Sequence, residues 1–234
     1  MFGQSSMNYL TCIKPISSIS NISNISRKLI ATLLLIIGCV LTIQASWLPA
    51  KAWVSQQLIQ HSWQQAMAAQ KHNQADLPSQ KINNEGDIIS QQVAIKPWPW
   101  ADTFPIAELA FERLDKSIVV LNGGDPTTLA FSAGAIAPFN QTHASKPFVV
   151  AGHRDSHFSF LEDIAMKDVI SLTDAQGRDR LYQVERIDIV DASSGQMPLL
   201  ADESNLVLIT CYPFQGIGSD SDERYVITAK ALSL

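Results

Sequence analysis

The chain has 234 residues, 46% hydrophobic and 17% charged, with a formal net charge of −5 and three cysteines. This balance excludes a mainly disordered chain, which needs low hydrophobicity and high net charge, and a disulfide scaffold, which needs more cysteines. It also excludes a nucleic-acid binder that works through a strongly basic surface, and the length allows one or two domains.

Residues 1–28 read as a cytoplasmic leader. Lys14, Arg27 and Lys28 are the only ionised side chains in the first 50 residues, and the stretch ISSISNISNIS at 16–26 is low-complexity sequence with no functional signal. The other 14 basic residues and all 22 acidic ones lie beyond position 50, a net of −8 there. Leu29 to Ala50, LIATLLLIIGCVLTIQASWLPA, carries no charge. As a helix it would be about 33 Å long, enough for a hydrocarbon core of about 30 Å. Arg27 and Lys28 hold its start on the cytoplasmic side, and Trp47 and Trp53 suit the opposite interface. The expectation is a retained anchor at 29–50. The competing reading is a signal peptide cut after Ala50-Lys51-Ala52, against which stand the long apolar run, the long leader and Pro49 beside the cut. In both readings the chain after about residue 52 is exported, and the sequence contains no second apolar run of this kind.

Residues 51–100 read as a juxtamembrane helix and a linker. Trp53, Ile59, Trp63 and Met67 fall roughly on helical spacing, near the lipid surface, and residues 76–100 lack periodicity and contain Pro78, Gly86, Pro97 and Pro99. From 101 to 234 the texture is β. Strands are expected at Phe104–Phe111, Ser117–Leu121, Phe148–Ala151, Val169–Leu172, Arg180–Asp191, Leu206–Cys211 and Arg224–Ala231. Asn122-Gly123-Gly124-Asp125 is a turn, and Asp174–Arg178 joins two strands as a hairpin loop does. Helical signal is confined to Thr127–Ser132 and Phe158–Ile164. The fold class is mostly β, an antiparallel barrel or sandwich of about 130 residues with short helices.

Cys12 lies in the leader and Cys39 in the apolar run, so the exported part holds one cysteine, Cys211. A lone thiol in an oxidising compartment is either buried and inert or reactive. Cys211 ends the apolar strand Leu206-Val207-Leu208-Ile209-Thr210, and Tyr212-Pro213 stops that strand. A strand end presents a side chain to a cleft, and a nucleophilic thiolate needs a base or a cation beside it. His153 is the candidate base, because it follows Phe148-Val149-Val150-Ala151 and Gly152 at another strand end. His143 stands in a polar loop, and His157, in the loop after His153, reads as a surface or structural residue. If the strands flanking Gln215–Asp222 pair, Cys211 faces Arg224 near the hairpin's open end. A guanidinium there can hold an oxyanion, or it can simply pair with Asp220, Asp222 or Glu223.

These residues match a family. Ala151-Gly152-His153-Arg154-Asp155, Val207-Leu208-Ile209-Thr210-Cys211 and Glu223-Arg224-Tyr225-Val226-Ile227 resemble the sortases, membrane-anchored cysteine transpeptidases with a β-barrel fold. The family's T-L-x-T-C motif is met except for Val207 in place of its first Thr. The order His, Cys, Arg and the separations of about 60 and about 13 residues also fit. The resemblance covers residues 101–234 and implies a closed barrel of about eight strands. Trp98-Pro99-Trp100-Ala101-Asp102-Thr103 and Ser221-Asp222-Glu223-Arg224 look like the proteobacterial branch, which places the domain in a periplasm.

The resemblance implies that Cys211 attacks a backbone carbonyl in the C-terminal sorting motif of a secreted target protein, giving a thioacyl enzyme. His153 serves as acid and then base toward an amine acceptor, and Arg224 steadies the oxyanion or substrate. Thr210, Gly216 and Gly218 are weaker substrate-binding candidates, the glycines through a mobile loop at Gln215–Asp220, and Asp155 either orients His153 or caps a turn. The expected partners are the target protein, the acceptor and, through the helix, a lipid bilayer, with no nucleic acid. No cofactor is expected and no metal-ligand motif is present; scattered Asp residues lack EF-hand spacing. A papain-like hydrolase would place Cys before His, and an L,D-transpeptidase would carry an S-x-G-C signature. A cysteine peptidase that only hydrolyses, or a non-enzymatic tethered β-domain with a buried Cys, remains an alternative.

Overall fold

The computed structural model describes residues 18–75, 94–142, 146–193, 204–215 and 221–232. The chain forms two compact units, Met1–Lys51 and Ala52–Leu234. In the first, helix α1, which runs Ser18–Ala75, carries the apolar run of Leu29, Ile30, Leu33, Leu34 and Leu35 with every one of these side chains exposed. By length and composition this helix can cross a membrane.

The second unit contains the remainder of α1 and a closed barrel in the order β1-β2-β3-β4-β7-β8-β6-β5. Its strands are β1 (Pro105–Phe111), β2 (Lys116–Asn122), β3 (Gly134–Ala135), β4 (Phe148–Ala151), β5 (Val169–Asp174), β6 (Asp179–Asp191), β7 (Asn205–Cys211) and β8 (Glu223–Ala231). The expected closed eight-stranded barrel with short helices is therefore present. All ladders are antiparallel except β2 with β3 and β4 with β7. The expected strands all occur, with ends displaced by at most two residues. The additional one is β3, whose two residues carry no pattern. A Cβ at Gly134 would lie 1.9 Å from the carbonyl oxygen of Gly123, so only glycine lets these two backbones pass.

Asp125 closes the expected turn and caps α2 (Pro126–Phe131), its Oδ1 accepting from the backbone N–H of Thr127 and Thr128 at 3.0 Å each. Such a cap satisfies donors that a helix start leaves orphaned. The Phe158–Ile164 signal forms a 3₁₀ turn at Ser159–Asp163. Asp174–Gly177 turns β5 into β6 as expected, with the Gly177 N–H bonded to the Asp174 carbonyl at 2.8 Å.

The barrel interior is filled by alternate residues, among them Leu109, Val120, Phe148, Val150, Leu172, Tyr182, Leu206, Leu208 and Ile227. Each large apolar side chain so buried contributes about 1.5–3 kcal/mol. Every residue of β7 from Asn205 to Thr210 is buried. Its outward residues Val207 and Ile209 join Val149 and Val226 in a second cluster, against which Ile136, Phe139 and Val190 pack.

A third cluster holds α1 to the barrel: Ile59 and Trp63 are buried with Val119, Leu121 and Ala175, and Met67, Trp98 and Phe131 pack around them. The Trp63 Nε1–H donates to Glu108 Oε2 at 3.0 Å. The helical spacing thus records a barrel-facing stripe rather than a lipid-facing one, and Trp53 lies off it, 65% exposed. Trp63→Ala is expected to lower the unfolding free energy of the full chain in detergent by about 3 kcal/mol in urea titration. Trp53→Ala is expected to change it by no more than about 0.5 kcal/mol.

Candidate active site

The site begins with a parallel ladder. β4 pairs with β7 from Phe148↔Leu206 to Ala151↔Ile209, and the Gly152 N–H extends it by one bond to the Ile209 carbonyl at 3.1 Å. The partners are 58 residues apart in sequence, as Gly152 and Thr210 also are. The next residues in this register are His153 and Cys211. On the other edge of β7 the antiparallel ladder with β8 ends at Cys211↔Arg224. His153, Cys211 and Arg224 therefore stand at the same end of three adjacent strands. One expectation is corrected: Cys211 and Arg224 form the last pair at the loop end of their hairpin, and its open end is Asn205↔Lys230.

Alternation gives these positions their face. Leu206 and Leu208 point inward and Val207 and Ile209 outward, so Cys211 falls in the outward set with Val226 and Arg224. The Cys211 thiol is free and half-buried, and His153 is exposed. Arg224 is half-buried, and its Nη1 donates to the carbonyls of Ser221 and Glu223 at 2.8 and 2.9 Å. Among the described residues it makes no ion pair, so Asp222 and Glu223 do not neutralise it. Carbonyl anchoring fixes the guanidinium without cancelling its charge.

Thr210 is 2% exposed, and its Oγ1 donates to the Gly152 carbonyl at 2.8 Å. Its hydroxyl therefore serves the histidine's strand end. Gly152 is required by packing: a Cβ there would meet the Phe158 ring at 2.8 Å. The Phe158 N–H in turn bonds the His153 carbonyl at 2.9 Å, so the loop folds back on itself directly after the histidine. The far end of the loop is tied by Arg113, which grips Asp168 through Nε and Nη2 at 2.6 and 2.7 Å. The Arg113 hydrogen bond holds the Asp168 carboxyl below its ordinary range. Beyond Cys211, Tyr212, Phe214 and Tyr225 form an aromatic group, with Tyr212 and Tyr225 stacked at 6.2 Å and Phe214 edge-on to Tyr225 at 5.0 Å.

His157 is not a plain surface residue. Burial first, and the proximity of His153 with it, lower its pKa, against the raising effects of its hydrogen bond to the Ala130 carbonyl and of Asp155. Asp155 is exposed and acts in the field of His157. His157 lies in a cleft of about 240 Å³ with Gln56, Gln60, Lys116, Ser156 and Phe160. The steric demand at Gly152 and the tether of His157 join residues whose relation sequence reasoning missed; the sole signal was a glycine directly before a histidine at a strand end. His143, Gly216 and Gly218 lie outside the described residues. Among the described residues no group of three or more His, Cys, Asp or Glu side chains is placed to hold a metal.

The family model for the sortase domain matches residues 109–232, more than half of the chain. Sortase D of Bacillus subtilis is 25% identical over 126 residues, which cover 53% of this chain and 63% of the relative's length. A sortase D5 transpeptidase from Clostridium perfringens superposes with a TM-score of 0.54 at 15% identity, over 77% of this chain and 99% of the other. Sortase A from Corynebacterium diphtheriae gives 0.49 at 21% identity, over 79% and 92%.

Two outcomes follow from the geometry. Gly152→Ala is expected to cost about 1–3 kcal/mol in urea titration, as overpacking does. With Phe158→Leu added, the loss should be smaller than the sum of the single changes in a double-mutant cycle. His157 protonates less readily in the folded chain than at the ordinary value of 6.5, so between these values the unfolded chain binds more protons. Its contribution is complete above about 6.5 and is lost as pH falls through the lowered value. His157→Gln should flatten stability against pH in that acidic window.

Proposed function

This chain belongs to the sortase family, and we propose that it is a single-pass, membrane-anchored cysteine transpeptidase with its barrel in a periplasm. In this reading residues 1–28 are cytoplasmic, 29–50 the anchor and 101–234 the catalytic barrel, joined by the helix and linker of 51–100. The segment that leads into the barrel, Trp98-Pro99-Trp100-Ala101-Asp102-Thr103, supports the proteobacterial branch by its resemblance. The observation that carries the function is the convergence of His153, Cys211 and Arg224 at one end of three hydrogen-bonded strands.

The substrate is a secreted protein with a C-terminal sorting motif. The Cys211 thiolate attacks the scissile carbonyl carbon, forming a C–S bond and an oxyanion beside the Arg224 guanidinium. The oxyanion collapses, the C–N bond breaks, and the leaving amine takes its proton from the His153 imidazolium. An amine acceptor then attacks the thioester and gives its proton to the neutral imidazole. The C–S bond breaks, the thiolate returns and a new amide is made. Arg224 suits the oxyanion role because, among the described residues, no carboxylate pairs with it, and because its fork is planar. Thr210 acts through the Gly152 carbonyl rather than on the substrate. Gly216 and Gly218, which fall between β7 and β8 in the sequence, are the weaker substrate-binding candidates of this reading.

Cys211→Ala is expected to abolish processing of the target, measured by mass spectrometry of its C-terminus. His153→Ala should be nearly as severe, His157→Ala should be mild, and Arg224→Lys should slow turnover by about tenfold or more. Retained processing in Cys211→Ala would end the thioester mechanism, and an exchange of the two histidine phenotypes would move the base to His157. A product bearing a new amide rather than a free carboxylate separates transfer from hydrolysis.

A further inference from the structure

The β4–β7 ladder ends one residue before the histidine and the cysteine. Past that point nothing in the backbone pairing holds the two chains together, yet the proposed chemistry needs a reacting geometry kept within fractions of an ångström. One restraint precedes the pair, the Thr210 hydroxyl on the Gly152 carbonyl at 2.8 Å. A second follows it: Arg154 Nη1 donates to the Pro213 carbonyl at 2.7 Å. Residue 154 directly follows the histidine, and residue 213 stands two past the cysteine. A proline has no N–H to offer, so the carbonyl is the one backbone group through which this position can be held.

We propose that Arg154 is a positioning residue that closes the bracket around His153 and Cys211, carrying the strand register across the point where the ladder stops. The arginine reaches from the histidine's loop to the cysteine's loop, so the bond opposes separation of the imidazole from the thiol. A bond from a charged donor to a carbonyl is stronger than one between neutral groups, and misplacement of reacting groups by about 1 Å can cost about a hundredfold in rate. Arg154 therefore acts through His153 and Cys211 without touching substrate. The inference rests on the assignment of those two residues as base and nucleophile.

The test uses the full chain in detergent and iodoacetamide as the probe, with alkylation of Cys211 followed peptide by peptide across a pH series. In the native protein the pH profile is expected to carry the influence of His153, which His153→Ala removes. Arg154→Ala should shift the profile toward that of His153→Ala while leaving the thermal midpoint within a few degrees of native. Arg154→Lys, which retains one donor, should recover much of the native profile. If His153→Ala changes the profile and Arg154→Ala does not, the positioning role is wrong and the base assignment stands. If His153→Ala leaves the profile unchanged, the base assignment fails and the proposal falls with it. Loss of the native profile in Arg154→Ala through unfolding alone, with Arg154→Lys unfolded as well, would reassign the bond to general stability.

Discussion

The parallel pairing of β4 with β7 is the constraint on which the rest of the site depends. Neighbouring parallel strands cannot be joined by a tight turn; they need a crossover. Here the crossover contains the His153 loop and the β5–β6 hairpin. The pairing holds only because the barrel closes around it, with β8 on the other edge of β7. β7 therefore has both edges fixed by backbone hydrogen bonds. A residue at its end has one neighbour set by β4 and another set by β8, whatever the side chains are. Cys211 occupies that end, with Arg224 on one side and the extended register of His153 on the other.

Burial of β7 on both faces explains the form of the cysteine motif. A strand covered on both sides reads as a continuous apolar run, and Leu206-Val207-Leu208-Ile209 is one. A polar side chain in such a strand must have a hydrogen-bond partner or cost about 1–3 kcal/mol. Thr210, the last buried residue, finds its partner in the Gly152 carbonyl. That bond satisfies a buried hydroxyl and also locks the cysteine's strand to the backbone directly before the histidine. Cys211 is then the first residue of the strand to emerge from burial, still held by strand pairing. A thiol placed one residue earlier would be buried, and one placed later would stand past the last strand pair, where the Tyr212 N–H makes a final bond to the Glu223 carbonyl at 3.0 Å.

The sequence made legible what depends on local pattern. Strands β1, β2 and β4–β8 announced themselves through alternation or apolar runs with turn residues between them. β3 left no trace because two residues, Gly134 and Ala135, cannot show a period. The stripe of Ile59, Trp63 and Met67 was visible as helical spacing, but its partner was not: apolar spacing is the same whether a helix faces lipid or a barrel. At the candidate site, the thiol, the imidazole and the guanidinium could be named as candidates because each stands at a strand end. What holds them could not be found. Gly152 against Phe158, Thr210 with Gly152, and Arg154 with Pro213 are relations between loops or strands, and in two of them the partners are nearly 60 residues apart.

Helix α2 shows how such relations combine. It has six residues, so its last carbonyls have no intrahelical acceptor role and need donors from elsewhere. The Phe131 carbonyl receives the Gln56 side-chain amide of α1, and the adjacent Ala130 carbonyl receives the His157 imidazole. One short helix end is thus satisfied from two directions, by the helix that packs on the barrel and by the loop that carries His153. His153 faces solvent, but the loop that bears it is tied to β7 through Gly152, to α2 through His157 and to the β1–β2 connection through the grip of Arg113 on Asp168. The loop that bears the exposed imidazole is thus held by buried or bonded neighbours on three sides.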